Sequence, residues 1–146
     1  VIEKVDVLVI NDEEARQLSK EFSLKKASRV ILEMGPKYLI IKKGEHGALL
    51  FHKDEIFFAP ALPLEEVFDP TGAGDSFAGG FAAYLSKTDD YSFSNMKKGV
   101  IYGSALASFA VEKFGTERLV ELTRDELAIR LKIFKKLTDF TLNDNV

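Results

Sequence analysis

Residues 69–81, DPTGAGDSFAGGF, are the most informative stretch of the sequence and the starting point for predicting its fold. Gly72 and Gly74 remove side chains from a turn, so backbone N–H groups there can converge on an anion. An apolar helix predicted at residues 76–85 adds unpaired N–H groups and the positive end of its dipole. The stretch therefore predicts a phosphate-binding turn at the start of a helix.

Asp75 lies inside this predicted phosphate site, where its negative charge would repel the ligand. A carboxylate held there by the helix dipole should stay ionised near neutral pH. It could accept the proton of a hydroxyl that attacks a terminal phosphoryl group. The alternative interpretation is that Asp75 caps the helix and the glycines only make a tight turn. The residues alone leave both interpretations open.

On both sides of this stretch, strand and helix patterns alternate. Short apolar runs typical of strands occupy residues 5–10, 38–41, 48–51 and 55–59. Helical patterns occupy residues 11–22, 24–34, 93–113 and 123–137. The last two strands are expected to form hairpins. This order of elements predicts an α/β layer sandwich.

Length, charge and composition favour a single globular domain and exclude several classes of protein. The chain has 146 residues, which suits one domain, and a formal charge of −3, which gives no basic field for nucleic acid. It contains no cysteine, which excludes disulfides, thiolate metal sites and a cysteine nucleophile, and fits a reducing, cytoplasmic location. No apolar run approaches the ~20 residues of a membrane span, and no P-loop motif occurs. Because it begins with Val1 rather than Met, we expect a piece of a longer protein.

The histidines, the lysine pairs and most phenylalanines are interpreted as having structural or surface positions and no part in catalysis. His46 and His52 show no metal-ligand pattern and are interpreted as surface residues. The lysine pairs 97–98 and 135–136 are interpreted as solvated. Seven phenylalanines in apolar faces are predicted to lie in the core: Phe57, Phe58, Phe77, Phe81, Phe109, Phe114 and Phe134.

Residues 69–77 closely resemble the C-terminal signature of the PfkB/ribokinase family of carbohydrate kinases. The resemblance implies a ribokinase-like fold, which is a three-layer α/β sandwich with a mainly parallel sheet. It implies that Gly72, Ala73 and Gly74 form an anion hole and that Asp75 is the catalytic base. The implied reaction is ATP-dependent transfer of a phosphoryl group to a hydroxyl of a sugar or nucleoside.

Residues 11–14, Asn-Asp-Glu-Glu, look like the family's Asn-x-x-Glu motif. The resemblance implies that Asn11 and Glu14 help to hold magnesium (Mg²⁺) through water near the nucleotide phosphates. The same spacing is that of a capping box, which would start a helix unaided. We expect both roles at once.

Residues 40–48, IIKKGEHGA, are similar to a family strand and turn that pass close to the nucleotide. The resemblance implies that Lys42, Gly44 and Gly47 bind the nucleotide. Lys42 stands where the family often has Thr, so an electrostatic contact to phosphate replaces a hydroxyl contact. The alternative is a hairpin turn with solvated lysines.

Asp69 and Thr71 correspond to a region that binds a monovalent cation such as K⁺ in some family members. Thr71 is also expected among the nucleotide-binding residues. The stretch 103–115, rich in Ala and Ser, looks like the family helix that borders the adenine pocket, although small residues also serve helix packing.

The resemblance covers residues 5–115 and corresponds to the C-terminal half of a family member. It implies that residues 1–146 are a single nucleotide-binding and catalytic portion, without the N-terminal half and lid that supply most sugar-binding residues. A homodimer of the full-length protein through that lid is expected. A non-catalytic nucleotide-binding fragment or module is the alternative, and a plain interaction domain without nucleotide affinity is a third interpretation.

Overall fold

The computed structural model describes residues 1–144, so the last two residues of the predicted 1–146 domain lie outside the described part. One sheet has the strand order β1–β2–β3–β4. The strands are β1 (Val7–Asn11), β2 (Tyr38–Lys42), β3 (Ala48–His52) and β4 (Glu55–Ala59).

The strand directions differ from the expected mainly parallel sheet. β1 and β2 are parallel, whereas β2–β3 and β3–β4 are antiparallel. The reason is local, because the short turns that follow β2 and β3 can join only antiparallel neighbours. Within residues 1–144, the parallel part of the sheet is therefore the β1–β2 pair.

Six α-helices accompany the sheet in the described residues. They are α1 (Asp12–Ser19), α2 (Leu24–Glu33), α3 (Ala73–Thr88), α4 (Phe93–Ala110), α5 (Glu117–Glu121) and α6 (Arg124–Thr138). Helix α3 begins three residues earlier than predicted, and the short helix α5 was not predicted. None of the helices in this part of the chain is long and apolar enough to cross a bilayer.

Helices cover both faces of the sheet, because successive side chains of a strand point to opposite faces. On one face, Ile40 packs in a cluster with Phe77 and Phe81 of α3, joined by residues of α4. On the other face, Ile41 packs with Ile31 of α2. The α/β three-layer sandwich is thus confirmed.

Close packing of α3 on α4 fixes the position of the glycine turn. A Cβ at Gly103 would stand 2.7 Å from the carbonyl oxygen of Phe77, so only glycine permits this approach of the two backbones. The start of α3 is therefore held in a defined place above the sheet.

Two of the predicted core phenylalanines are not in the core. Phe58 is 52% exposed and Phe114 is 66% exposed, whereas Phe77, Phe81 and Phe109 are buried. Phe57 packs against the core beneath α4, so the next residue on β4 must face the opposite side. Helices α1 and α2 lie over β1 and β2 rather than over β4, which leaves Phe58 uncovered. The further predicted core residue Phe134 is fully buried.

Candidate functional site

The glycine turn at residues 72–75 forms the start of α3. Gly72 is the N-cap, in the left-handed conformation with φ 83°, which favours glycine. The first intrahelical bond runs from Ser76 N–H to the Gly72 carbonyl at 2.9 Å. Ala73 N–H donates to the Pro70 carbonyl at 3.3 Å. The N–H groups of Gly74 and Asp75 precede the intrahelical ladder and are the donors that this helix start offers to an anion.

Asp75 is the third residue of α3 and is exposed. No side chain caps this helix, so Asp75 lies in the first turn as an acidic residue and is not the N-cap. The helix dipole favours a negative charge in this turn.

Lys42 reaches the same turn from the sheet. It ends β2 and is in register with Asn11, which ends the parallel strand β1. The carboxyl ends of neighbouring parallel strands form the edge at which α/β proteins commonly bind ligands. A Cβ built on Gly74 would stand 2.8 Å from Lys42 Nζ, so the ammonium group lies directly against the helix start.

A cavity of about 1070 Å³ opens beside these groups. Among the predicted site residues it is lined by Asn11, Lys42, Gly44, Gly47, Ala73 and Gly74. The other predicted site residues do not line it: Glu14, Asp69, Thr71, Gly72 and Asp75. The structure therefore joins the strand ends, the β2–β3 turn and the start of α3 around one space. Asp75 is the next residue after Gly74, which forms part of the cavity wall.

Sequence reasoning missed several residues of this cavity wall. The segment after β4 contributes Ala61, Leu62, Pro63, Leu64 and Val67. His46, interpreted above as a surface residue, also lines the cavity. Its position between Gly44 and Gly47, which were both predicted to bind the nucleotide, is the feature of the sequence that could have indicated this. The inner face of α4 contributes Ser104, Ala107 and Ser108, which belong to the stretch 103–115 that was expected to border the adenine pocket and so were not missed.

Gly47 permits a tight turn at the cavity. Its φ is 89°, and a Cβ there would stand 2.2 Å from the Ala59 carbonyl oxygen. This close approach of two backbones brings the β2–β3 turn against the end of β4.

Asn11 and Glu14 form the capping box that the sequence allows. Glu14 N–H donates to Asn11 Oδ1 at 2.8 Å, and Asn11 N–H donates to a Glu14 carboxylate oxygen at 2.8 Å. The two side chains present oxygen atoms, which Mg²⁺ prefers, and Mg²⁺ commonly keeps several waters and substrate phosphates as further ligands. Within residues 1–144, no group of three or more His, Asp or Glu side chains is placed to hold a metal by itself.

Asp69 shapes the approach to the glycine turn. Its Oδ1 accepts a hydrogen bond from Thr71 N–H at 2.9 Å. This bond is the largest cause that lowers the pKa of Asp69 below its usual value. Asp69 is therefore an ionised carboxylate engaged in a local turn.

This combination of a three-layer α/β sandwich and a glycine turn at a helix start defines a ribokinase-like protein. The pfkB family carbohydrate kinase model matches residues 1–122, and the chain belongs to this family.

Individual relatives agree with the family. The chain is 38% identical over 89 residues to the cytidine kinase of Thermococcus kodakarensis, across 60% of this chain and 32% of the relative. It is 29% identical over 126 residues to the ribokinase of Staphylococcus aureus, across 83% of this chain and 40% of the relative. The chain thus spans well under half the length of these curated relatives.

Among solved structures, the ribokinase of Thermotoga maritima superposes with a TM-score of 0.74 and 34% identity, covering 90% of this chain and 43% of that one. The aminoimidazole riboside kinase of Salmonella enterica, solved with aminoimidazole riboside and an ATP analog, gives a TM-score of 0.77 and 28% identity. It covers 89% of this chain and 43% of the relative. Both likenesses support the ribokinase-like fold.

Proposed function

We propose that this chain is the nucleotide-binding and catalytic portion of an ATP-dependent kinase whose acceptor is a hydroxyl of a sugar or nucleoside. The observation that carries the proposal is the position of Lys42 Nζ against Gly74, at the edge of a cavity of about 1070 Å³. A fixed cation and a helix start there face the same space. This is an arrangement suited to a polyphosphate.

The turn from Gly72 to Gly74 serves as the anion hole. The N–H groups of Gly74 and Asp75 have no intrahelical acceptor, and they point outward from the first turn of α3. Lys42 supplies a full positive charge where these partial charges converge. Such fixed donors stabilise the charge that develops on the phosphoryl oxygens during transfer.

Asp75 serves as the general base. Its carboxylate accepts the proton of the acceptor hydroxyl as that oxygen forms a bond to the terminal phosphorus of ATP. The bond between that phosphorus and the bridging oxygen breaks, and ADP leaves. Asp75 is exposed, next in sequence to Gly74, so an acceptor can approach it from outside the nucleotide cavity.

The remaining predicted residues have supporting roles. Asn11 and Glu14 orient water ligands of Mg²⁺, which neutralises phosphate charge when bound. Gly44 and Gly47 allow the β2–β3 turn to border the nucleotide, and their φ values of 56° and 89° are ones that glycine favours. Asp69 and Thr71 stand near the turn, where a monovalent cation such as K⁺ would be held by oxygen atoms.

The acceptor is selected by a part of the protein that this chain does not contain. The chain covers 43% of the aminoimidazole riboside kinase, whose structure holds a riboside and an ATP analog. On this proposal residues 1–146 form a single portion of the ribokinase-like domain, and the remaining length supplies the sugar-binding surface.

A transfer assay with the full-length protein tests the proposal. ATP and Mg²⁺ are offered with a panel of sugars and nucleosides, and phosphorylated product is followed by ³¹P NMR while nucleotide binding is followed by calorimetry. We expect transfer to at least one acceptor. Nucleotide binding without transfer to any acceptor would favour the non-catalytic module, and a lack of nucleotide affinity would contradict both.

A further inference from the structure

A second cavity, of about 580 Å³, lies between α4, α6 and the edge of the sheet, away from the glycine turn. Helix α3 contributes Tyr84 to this cavity and Ala73 to the first one. Eleven residues separate these two positions, which is about 16 Å along a helix. The second cavity is therefore a separate space that none of the proposed kinase residues reaches.

Aromatic rings form one wall of the second cavity. Tyr84 and Tyr102 face each other with their centroids 4.5 Å apart and their planes at 33°. The Tyr84 hydroxyl donates to Asn95 Oδ1 at 2.9 Å, which fixes the orientation of its ring. Phe57 of β4 adds a third ring to the lining. A flat apolar group can pack against such a wall.

Lysines form the charged part of the lining. They are Lys97, Lys98 and Lys135, and no carboxylate residue lines the cavity. Lys97 Nζ lies 5.0 Å from the Phe93 ring centroid and 5.8 Å from that of Phe57, so ring faces hold its ammonium group in place. In the described part of the chain, the salt bridges involve other lysines and arginines.

Asp90 is an acidic residue whose charge interacts with that of Lys98. The pKa of Asp90 is lowered mainly by hydrogen bonds from Ser92, and the charge of Lys98 is the last of the causes. Asp90 is outside the lining of the cavity. The positive charge of the three lysines thus stays available to a ligand. Lys98 and Lys135 are exposed, as the interpretation of the lysine pairs as solvated predicts, whereas Lys97 is half-buried with its ammonium group over two rings.

We propose that the second cavity binds a small aromatic phosphate, with its ring against Tyr84 and Tyr102 and its phosphate among the three lysines. The lining of the cavity combines aromatic rings with three lysines. A ligand with one ring and one phosphate can contact both, whereas a neutral ring or a bare anion can contact only one of them favourably.

Phenyl phosphate is the probe that tests this site, titrated calorimetrically into the full-length protein. Inorganic phosphate and benzyl alcohol, which each lack one half of the ligand, are titrated in parallel. We expect saturable binding of phenyl phosphate, with both partial ligands at least about tenfold weaker. Saturation by inorganic phosphate at equal affinity, or no binding of phenyl phosphate at millimolar concentration, would overturn the proposal.

Substitutions in each of the two cavities show which cavity binds phenyl phosphate. The double variant Lys97→Gln with Lys98→Gln should weaken phenyl phosphate at least about tenfold, since each ammonium contributes a charged contact. Lys42→Gln, which alters the first cavity, should leave it unchanged. Thermal unfolding checks that the double variant is folded, and Tyr102→Leu provides a second test that keeps all lysines. If Lys42→Gln abolishes binding while the double variant retains it, the probe occupies the first cavity and the proposal is wrong.

Discussion

The ammonium group of Lys42 occupies the space beside Gly74 that a side chain at position 74 would need. A Cβ there would stand 2.8 Å from Lys42 Nζ, inside the 3.0 Å limit that real Cβ contacts respect. The two residues are far apart in sequence, yet they form one surface, with the cation from the end of β2 and the N–H groups from the start of α3. Gly74 and Lys42 thus belong to the same candidate anion-binding site.

Gly74→Ala should displace the Lys42 ammonium and weaken ATP binding about tenfold with little change in stability, because the atom that must move is the far end of a flexible side chain. Gly79→Ala is the matched control, because Gly79 is also in α3 and a Cβ there meets open space. Calorimetry with ATP and thermal unfolding are measured on both. Equal ATP affinity in the two variants would show that the contact has no part in binding.

Lys42→Gln should weaken ATP by about 10- to 100-fold, since a hydrogen bond to a charged group contributes roughly 1.5–3 kcal/mol. Lys43→Gln is the control, as Lys43 adjoins Lys42 but does not line the cavity. The salt dependence of ATP binding should also become shallower in Lys42→Gln alone, because one charge contact is lost. A similar, small effect of both substitutions would support the alternative of a hairpin with solvated lysines.

Local signals made much of this site predictable. The glycines of the 72–75 turn and the box of Asn11 with Glu14 act within a few residues, so the sequence indicates them directly. Contacts between distant residues are different. Nothing near Lys42 shows that its side chain ends at Gly74, because that distance depends on how α3 packs over the sheet.

Dependence on tertiary packing also explains which features the sequence failed to predict. The wall at Ala61–Leu64 follows Pro60 without any periodic pattern, and only the tertiary fold brings it to the cavity. Phe58 has the apolar character of a core residue, but its exposure depends on which part of the sheet α1 and α2 cover. Helix α3 starts before position 76 because the positive φ of Gly72 lets the turn pass straight into the helix.

Two capping boxes in the described part of the chain provide a matched test for magnesium. Asn11 with Glu14 and Thr123 with Glu126 cap α1 and α6 in the same manner. Asn11→Ala and Thr123→Ala should each reduce stability by about 0.5–2 kcal/mol. Only Asn11→Ala should raise the Mg²⁺ concentration needed for half-maximal turnover. An unchanged Mg²⁺ requirement would restrict Asn11 to its structural role.

Glu126 should make stability depend on pH in the acid range. Hydrogen bonds from Arg118 first, and then from Thr123, lower the pKa of Glu126 from 4.5 to about 2. Because the folded-state pKa is depressed, its contribution is present above pH 4.5 and is lost as the pH falls toward 2. Glu126→Gln should therefore be less stable than the parent at neutral pH, with a difference that shrinks on acidification.

Urea unfolding at neutral pH and at about pH 3 measures this difference. Glu65→Gln is the control, since Glu65 takes part in none of the salt bridges found in residues 1–144. A Glu126→Gln deficit that stays constant across this range would contradict the assigned cause.

The turnover of Asp75→Asn in the full-length protein tests the central claim most directly, with Asp125→Asn, an acidic residue in the first turn of α6, as its control. Asparagine cannot accept the proton, so kcat should fall about 10²- to 10⁴-fold. ATP affinity should be unchanged or tighter, because a negative charge near the phosphates is removed. Asp125→Asn should match the parent. Retention of most of the turnover by Asp75→Asn would contradict the role of this carboxylate as the base.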